Sequence, residues 1–388
     1  SGTATSIAAP ANEGTYYIYV IDAAGNISTA STAALTVDNS APDAFTTGSV
    51  TSVGGTVVAD YWNSTNTSIK VTIPVANDSS LTGGTIQLEA NVADGGFETF
   101  GSAYTITGDD LGHSYEFSQT ATVFEALSGG LSDSESVTFR AIITDLGGNS
   151  TTGTASGTTI AIDQTAPTVY YVTSSSSDGL YSTGDILSLL IFISDAVTVT
   201  GTPQITLETG DSDETVDYSS GSNSSILIFN YTVVPGNNSS DLDYESTGSL
   251  TLNGGTINDA TGNPLTLTLA TPGATNSLGA NKAIVVDTTA PTNQNVVFAN
   301  SVVDQGGDTI TLVSSGTASN QVWFAPAGTT SFSAGATMTK AASGTATSIA
   351  APANEGTYYI YVIDAAGNIS TASTAALTVD NSAPDAFT

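Results

Sequence analysis

One small acidic pattern recurs along this chain. "DAAGN" stands at residues 22–26 and again at 364–368, with "DLGGN" at 145–149 and "DATGN" at 259–263. A second signature accompanies it: "VDNSAP" at 37–42, "IDQTAP" at 162–167, "VDTTAP" at 286–291 and "VDNSAP" at 379–384. Carboxylate, amide and carbonyl oxygens are the hard ligands that Ca2+ prefers, roughly six to eight of them at about 2.4 Å. A loop Asp and a linker Asp would give two carboxylates, and the carbonyls of the turn would add more. The loop pattern is also a sound β-turn by itself, with Asp accepting backbone N–H groups and Gly supplying positive φ. The coupling of the two signatures, four times over, favours the cation.

Composition points the same way. The chain has 388 residues with 4 Lys+Arg against 36 Asp+Glu, a formal net charge of −32. So few bases cannot pair so many carboxylates, and divalent cations or a salty medium would offset the self-repulsion. Nucleic acid and anionic membrane surfaces are excluded as partners, because both require basic patches. With no cysteine, neither disulfides nor thiolate chemistry is available. The longest apolar run, "ILSLLIFI" at 186–193, has the length of a strand, and no stretch has the length of a membrane span. The chain opens on Ser rather than Met and is read as a window from something longer.

Internal repeats organise the sequence. Residues 1–46 recur without a change at 343–388, an offset of 342 residues. Such identity indicates a recent duplication and a tandem array with that super-repeat. Within it the linker aspartates, Asp38, Asp163, Asp287 and Asp380, are separated by 125, 124 and 93 residues. Proline after each linker Asp suits a boundary where one β-rich run ends and another begins. The domains expected are the C-terminal part of a module at 1–40, modules at 41–165, 166–289 and 290–382, and the start of another at 383–388.

Nearly all the periodicity is that of strands. "GTYYIYVID" at 14–22 alternates Tyr16, Ile18 and Val20 with Tyr17, Tyr19 and Ile21. "SVTFRAIITD" at 136–145 places Phe139, Ala141 and Ile143 inward, and "TSIKVTIPV", "ITLETG" and "SILIFNYTVV" read alike. No stretch carries a capped helical period. Short strands between Gly, Asn and Asp turns predict an all-β fold of sandwich modules. Trp323 belongs in a core or half-buried strand position.

A hairpin ending in D-x-x-G-N, a last strand, then [VI]-D-x-[ST]-A-P resembles the bacterial Ig-like tandem repeats of giant surface adhesins exported by type I (RTX-like) systems. The stretches "YVTSSSSDGLYSTGDILSLLIFISDAVTVTGTPQITLETG" and "NNSSDLDYESTGSLTLNGGTINDATGN" carry the resemblance most fully. It covers essentially the whole chain and implies tandem Ig-like β-sandwich modules in an extended array. It further implies an extracellular, bacterial cell-surface location and stiff extender modules, rigidified by calcium, that project a binding domain for adhesion or biofilm formation. Asp195 departs from the family, which has Glu more often in its F-S-E-A-V stretch. The partners implied are the neighbouring modules of the same array.

In an Ig-like sandwich the chain enters at one pole, and the turn between the last two strands points back toward it. Each D-x-x-G-N turn should therefore face the linker Asp that precedes its own module. That pairs Asp38 with Asp145 and Asn149, Asp163 with Asp259 and Asn263, and Asp287 with Asp364 and Asn368. Asp22 and Asn26 would lack their linker and Asp380 its loop. An earlier turn at the same pole adds Asn77 and Asp78 in module 41–165 and Asp195 in module 166–289. Module 290–382 has no obvious acid there and should hold the weakest site. Asp241 and Asp243 in "SSDLDY" could form another site, though solvated surface charge is the preferred reading.

Catalysis has little support. The single histidine, His113, has no nucleophile or zinc-ligand partner at a recognisable spacing, and no G-x-S-x-G, phosphate-binding glycine loop or H-E-x-x-H is present. The expectation is a protein that is not an enzyme. Asn63, Asn149 and Asn230 open N-x-[ST] triplets of the kind that arise by chance in so Ser/Thr-rich a chain, and glycosylation stays open. Beside the extender stands a second reading, a subunit of a self-assembling extracellular filament or surface layer in which identical chains are partners.

Overall fold

The computed structural model describes residues 5–384. Residues 1–4 and 385–388, and with them most of the expected segment 383–388, lie outside the described residues. The protein is all-β, and the strands among the described residues gather into seven sheets. It divides into two compact units, residues 1–166 with 258–264, and residues 167–257 with 265–388.

In the first unit the sequence alternation becomes a sandwich. One sheet runs in the order Tyr61–Trp62, Ile160–Ile162, Ser136–Thr144, Thr85–Val92 and Phe97–Thr99; the other joins Val50–Val53, Ser68–Pro74 and Ser114–Thr120. Phe139, Ala141 and Ile143 point inward as the period-two pattern requires, against Ile69, Val71 and Ile73 of the other sheet. Burying each such aromatic or branched side chain contributes about 1.5–3 kcal/mol. Trp62 and Phe124 meet edge to face, with ring centroids 4.7 Å apart. On the outer face Arg140 sits opposite Glu89 in the ladder, bonds it at 2.6 Å, and covers the Phe97 ring at 4.0 Å. The same unit holds a separate hairpin, Gly14–Tyr17 against Ala34–Val37.

The second unit contains two cores. One gathers Leu187, Leu189, Leu227, Phe229, Ile284 and Val286 among others. Its sheets follow the order Val169–Ser174, Ile186–Thr200, Ser224–Thr232, Glu214–Ser220, Gln204–Leu207, Leu250–Thr251, and Gly179–Tyr181, Ile284–Asp287, Asn238–Ser239. The other core is built on Phe298, Ile310, Phe324, Ile360, Val362 and Leu377. Its larger sheet is ordered Val302–Asp304, Ala376–Val379, Gly356–Ile363, Gln321–Ala325, Thr339–Lys340.

One pairing recurs in all three sandwiches. An early strand lies parallel to the last one: Tyr61–Trp62 on Ile160–Ile162, Gly179–Tyr181 on Ile284–Asp287, and Val302–Asp304 on Ala376–Val379. Every other strand pair with a resolved register is antiparallel, as hairpin connections dictate. Trp323 is buried. The sequence showed no helix, whereas single-turn helices occur at Ala121–Glu125, Leu278–Asn281 and Gln294–Val297. Each buries one or two side chains at a sandwich edge, a tertiary gain that a periodicity window cannot register.

Asp195 occupies no turn. It lies within the long strand Ile186–Thr200, where the register with Ser224–Thr232 breaks between Phe192 and Val197, and its carboxylate accepts only the next amide, Ala196 N–H. Asp243 is not surface charge but 8% exposed, accepting N–H bonds from Tyr244 and Gly273. Its fold partner Gly273 stands 30 residues away, beyond the reach of local pattern reading.

Two buried tyrosines set a pH limit on this sandwich. Tyr231 donates to Asn237 Oδ1 at 2.9 Å and Tyr244 to the Ala270 carbonyl at 2.6 Å. Desolvation, assisted by the nearby Glu214 and Asp243 charges respectively, raises both phenol pKa values far above the ordinary one. A raised folded-state pKa means this stability is complete below the unfolded value of about 10 and is lost as pH climbs toward the folded one. Alkaline titration followed by near-UV circular dichroism should show this sandwich opening above about pH 10. Tyr231→Phe with Tyr244→Phe should move that transition to higher pH.

Candidate functional site at the repeated joints

Each D-x-x-G-N loop folds identically. The Asp N–H donates to the Asn carbonyl at 3.0 Å in 145–149 and 259–263 and at 3.1 Å in 364–368. The Asn amide N–H returns a bond to the Asp Oδ1 at 2.8–2.9 Å in all four copies. Glycine is required because its φ is positive, +89° at Gly25, +93° at Gly148, +98° at Gly262 and +94° at Gly367, a region costly for any residue with a Cβ. So far this is the β-turn that sequence predicts.

The asparagine side chain does more. Asn149 Nδ2 donates to Asp145 Oδ2 at 2.9 Å and to the Asp38 carbonyl at 3.1 Å. Asn263 repeats this with Asp259 Oδ2 at 3.1 Å and the Asp163 carbonyl at 3.1 Å. Asn368 does so with Asp364 Oδ2 at 3.0 Å and the Asp287 carbonyl at 2.9 Å. The structure thus brings these three loops onto the linkers that precede them, through a two-pronged amide. Asn26 keeps its bond to Asp22 Oδ2 at 2.8 Å and meets no linker carbonyl among the described residues. Hydrogen bonds from the Asn26 side chain and backbone hold the Asp22 carboxyl below its usual pKa.

The linker aspartates have a local task that sequence reading missed. Their Oδ1 atoms accept the N–H two residues on, at Ser40, Thr165, Thr289 and Ser382, over 2.9–3.1 Å. This Asx turn explains the D-x-[ST] spacing. The next linker residues are gripped from the other side. Glu13 accepts from Asn39 N–H and Ser40 Oγ, and Glu355 from Asn381 N–H and Ser382 Oγ. Asp133 accepts from Gln164 N–H, and Asn238 from Thr288 N–H and Thr289 Oγ1. Glu13 and Glu355 hold the same place in the duplicated segment, whereas Asp133 and Asn238 differ in type and position, so no single motif announces the anchors.

The joint at Asp163 is the most developed. Asn263 is fully buried, and its Oδ1 accepts Ser64 N–H at 2.9 Å. Asn63, also fully buried, donates to the carbonyls of Thr56 and Thr261, both at 2.7 Å. That burial removes Asn63 as an accessible sugar acceptor. Thr261 Oγ1 lies 3.0 Å from Asp163 Oδ2 and 2.8 Å from Asp259 Oδ1. One hydroxyl proton serves two carboxylates.

Asp78 takes a supporting position. It caps the turn Ser79–Leu81 through Ser80 N–H, and the Ser80 carbonyl accepts Leu146 N–H at 3.1 Å beside the Asp145 loop. Asn77 is exposed, and among the described residues Asp380 makes its Asx turn and a backbone bond to the Asp304 carbonyl.

Among the described residues no basic side chain pairs with a joint carboxylate. Asp145 and Asp259 are buried, at 3% and 7% exposure, yet the ion pairs among the described residues are Lys70–Glu116, Arg140–Glu89 and Lys282–Asp178. The joint carboxylates are met by N–H and O–H groups alone. No group of three or more His, Cys, Asp or Glu gathers among the described residues. The oxygens available at each joint, two carboxylates and turn carbonyls, fit a hard cation in type. Buried negative charge with no basic partner is what such an ion would relieve.

No family model matches the sequence, and no curated protein does either. Among solved structures the chain is similar to one reported as structural insight into host cell surface retention of a 1.5-MDa bacterial ice-binding adhesin, at 12% identity and a TM-score of 0.37, over 88% of this chain and 100% of that one. At that similarity no residue correspondence follows.

Proposed function

We propose that this chain is an extender segment of an extracellular bacterial surface adhesin, a spacer that carries load through its joints and performs no chemistry. The observation that carries the reading is the asparagine latch, made three times with the same partners at 2.9–3.1 Å. A linker gripped by an Asx turn and anchor on one side, and by the loop amide on the other, has few free dihedrals left. Fixing each such residue costs about 1–2 kcal/mol of backbone entropy, and repeating that cost at every joint suits a part whose task is stiffness.

Calcium belongs to this proposal. Asp38 with Asp145, Asp163 with Asp259 and Asp287 with Asp364 would hold it, together with loop and linker carbonyls. The ion would offset the carboxylate charge that the fold leaves uncompensated. Thermal melts in calcium and in chelator, with titration calorimetry, test this. At a hundredfold excess over Kd, calcium should stabilise each occupied joint by about 2.7 kcal/mol, and Asp163→Ala should remove the heat of one site only. Absence of both heat and thermal shift would dismiss the cation while leaving the latch. Small-angle scattering tests the spacer itself: a thin rod one module wide supports it, and thick banded fibres would favour a laterally assembled filament.

A further inference from the structure

The asparagines that open N-x-[ST] triplets sort by what surrounds them. Asn63, Asn66 and Asn237 are buried. Asn26, Asn149 and Asn368 are held by their loop aspartates, and Asn238 accepts from Thr288 and Thr289. Asn77, Asn223 and Asn230 are exposed. The last two share one pair of strands, Glu214–Ser220 and Ser224–Thr232. Asn223 stands in the turn between them at φ +61°, its Oδ1 accepting the Thr198 hydroxyl at 3.1 Å. Asn230 lies toward the far end of the second strand, where Nδ2 donates to the exposed Ser219 Oγ at 3.0 Å. The strand puts up to roughly 24 Å between the two asparagines.

The sheet face between them is apolar. Leu187, Leu189, Ile191 and Ile193 point into the core, so Leu190 and Phe192 point out of it. On that outer side Tyr171 lies opposite Phe192, Phe192 opposite Ile226, and Leu190 opposite Ile228. Tyr171 and Phe192 stack with ring centroids 4.4 Å apart. Next in the ladder, Ser188 faces Asn230 itself. The corresponding sheet of the first sandwich turns Lys70, Thr72, Glu116 and Ser118 outward, and Lys70 pairs with Glu116 at 2.6 Å. A run such as "ILSLLIFI" reads as a strand covered on both faces, yet Leu190 and Phe192 are only half-buried.

We infer that Asn223 and Asn230 are glycosylation sites, and that the sugars they carry cover this outer face. A transferase of the producing cell would bring a nucleotide-activated sugar to the side-chain amide. The asparagine nitrogen bonds to the anomeric carbon as the carbon–oxygen bond to the diphosphate breaks. The nucleoside diphosphate leaves with that electron pair, and one amide proton passes to the transferase. The remaining N–H of Asn230 can still serve Ser219. Ser225 and Thr232 supply the hydroxyl two residues on that completes each triplet, and both are exposed.

Charge and position together favour sugar over other occupants. Tyr171, Leu190, Phe192, Ile226 and Ile228 offer no charge to a charged ligand. A second copy of the chain would bring another formal charge of −32 against the first. A neutral sugar avoids that repulsion. Its C–H faces pack on the aliphatic and aromatic side chains while its hydroxyls stay in water, which removes the liability of an apolar patch. The two acceptors bracket Ile226 and Ile228, so a sugar on either reaches the face from its own end.

The test compares protein purified from the cells that make it with the same chain made in a host that lacks N-glycosyltransferases. Mass spectrometry of native peptides should find whole sugar residues on Asn223 and Asn230, and none on Asn63, Asn66 or Asn237. Asn230→Gln, introduced in the producing cells, should remove its increment and leave that of Asn223. The bare chain should take up the neutral apolar dye Nile red more strongly than the native one. Leu190→Thr with Ile228→Thr should abolish that excess. Bare Asn223 and Asn230 in the native protein overturn the inference, as does sugar confined to Asn77. Equal dye uptake by the native and bare chains overturns the covering of the face. A native protein bare at both positions that dimerises through Leu190 and Ile228 would assign the face to a second chain.

Discussion

Replacing Phe324 with aspartate should dissolve the last sandwich and leave the other two standing. Phe324 is fully buried, meets Phe298 edge to face at 5.1 Å, and pairs with Ile360 at the centre of the sheet. A carboxylate there loses the aromatic burial and must either stay unsolvated or protonate. The cost exceeds about 5 kcal/mol, against a domain stability of about 5–15 kcal/mol. The hairpin Gly356–Val379 should then resemble its exposed twin at 14–37. Hydrogen exchange of the peptide sequence shared by residues 14–21 and 356–363 should lose its slow half, while peptides from Ser136–Thr144 and Ser224–Thr232 keep their protection. Thr311→Asp, on the exposed face of strand Thr309–Thr311, is the control and should change little. Survival of the slow population in the Phe324 variant would mean the later hairpin does not depend on strand Gln321–Ala325.

The asparagine latches should rank by burial and bond count, with Asn263 far ahead. Its amide donates to Asp163, Asp259 and Thr261, and its carbonyl accepts from Ser64, and the asparagine itself has no exposed surface. Asn263→Ala strands a buried carboxylate oxygen and an N–H, and should cost about 3 kcal/mol. Asn149→Ala and Asn368→Ala remove two bonds each from half-buried positions and should cost about 1–2 kcal/mol. Asn26→Ala, exposed and without a linker partner, should fall within about 0.5 kcal/mol of the parent. Urea denaturation of the four variants measures the order. Equal effects at Asn26 and Asn263 would show that the loop, rather than the latch, carries the energy.

Much of this was open to a reader of the sequence. The repeated Gly at positive φ and the Asp that caps its turn follow from local backbone sterics, so D-x-x-G-N announces its own shape. The assignment of each loop to the preceding linker followed from expected topology, and Asn149, Asn263 and Asn368 lie where it put them. What stayed hidden depends on distant neighbours. Glu13 with its duplicate Glu355, Asp133 and Asn238 grip equivalent linkers from three unrelated positions. Asn63 lies nearly two hundred residues from the Thr261 carbonyl it holds, and Asp195 was misread because a bulge inside a strand has the composition of a turn.

The duplicated segment divides the two kinds of information. Sequence alone determined the hairpin register, the Asp22 and Asp364 turns and the bonds of Val20 N–H to Ser28 Oγ and Val362 N–H to Ser370 Oγ, which are the same in both copies because their partners lie within about two dozen residues. Tertiary structure alone decided whether Ile18 and Ile360 are surface or core. Burial is a property of what arrives from elsewhere in the chain, and residues 290–342 arrive at only one of the two faces.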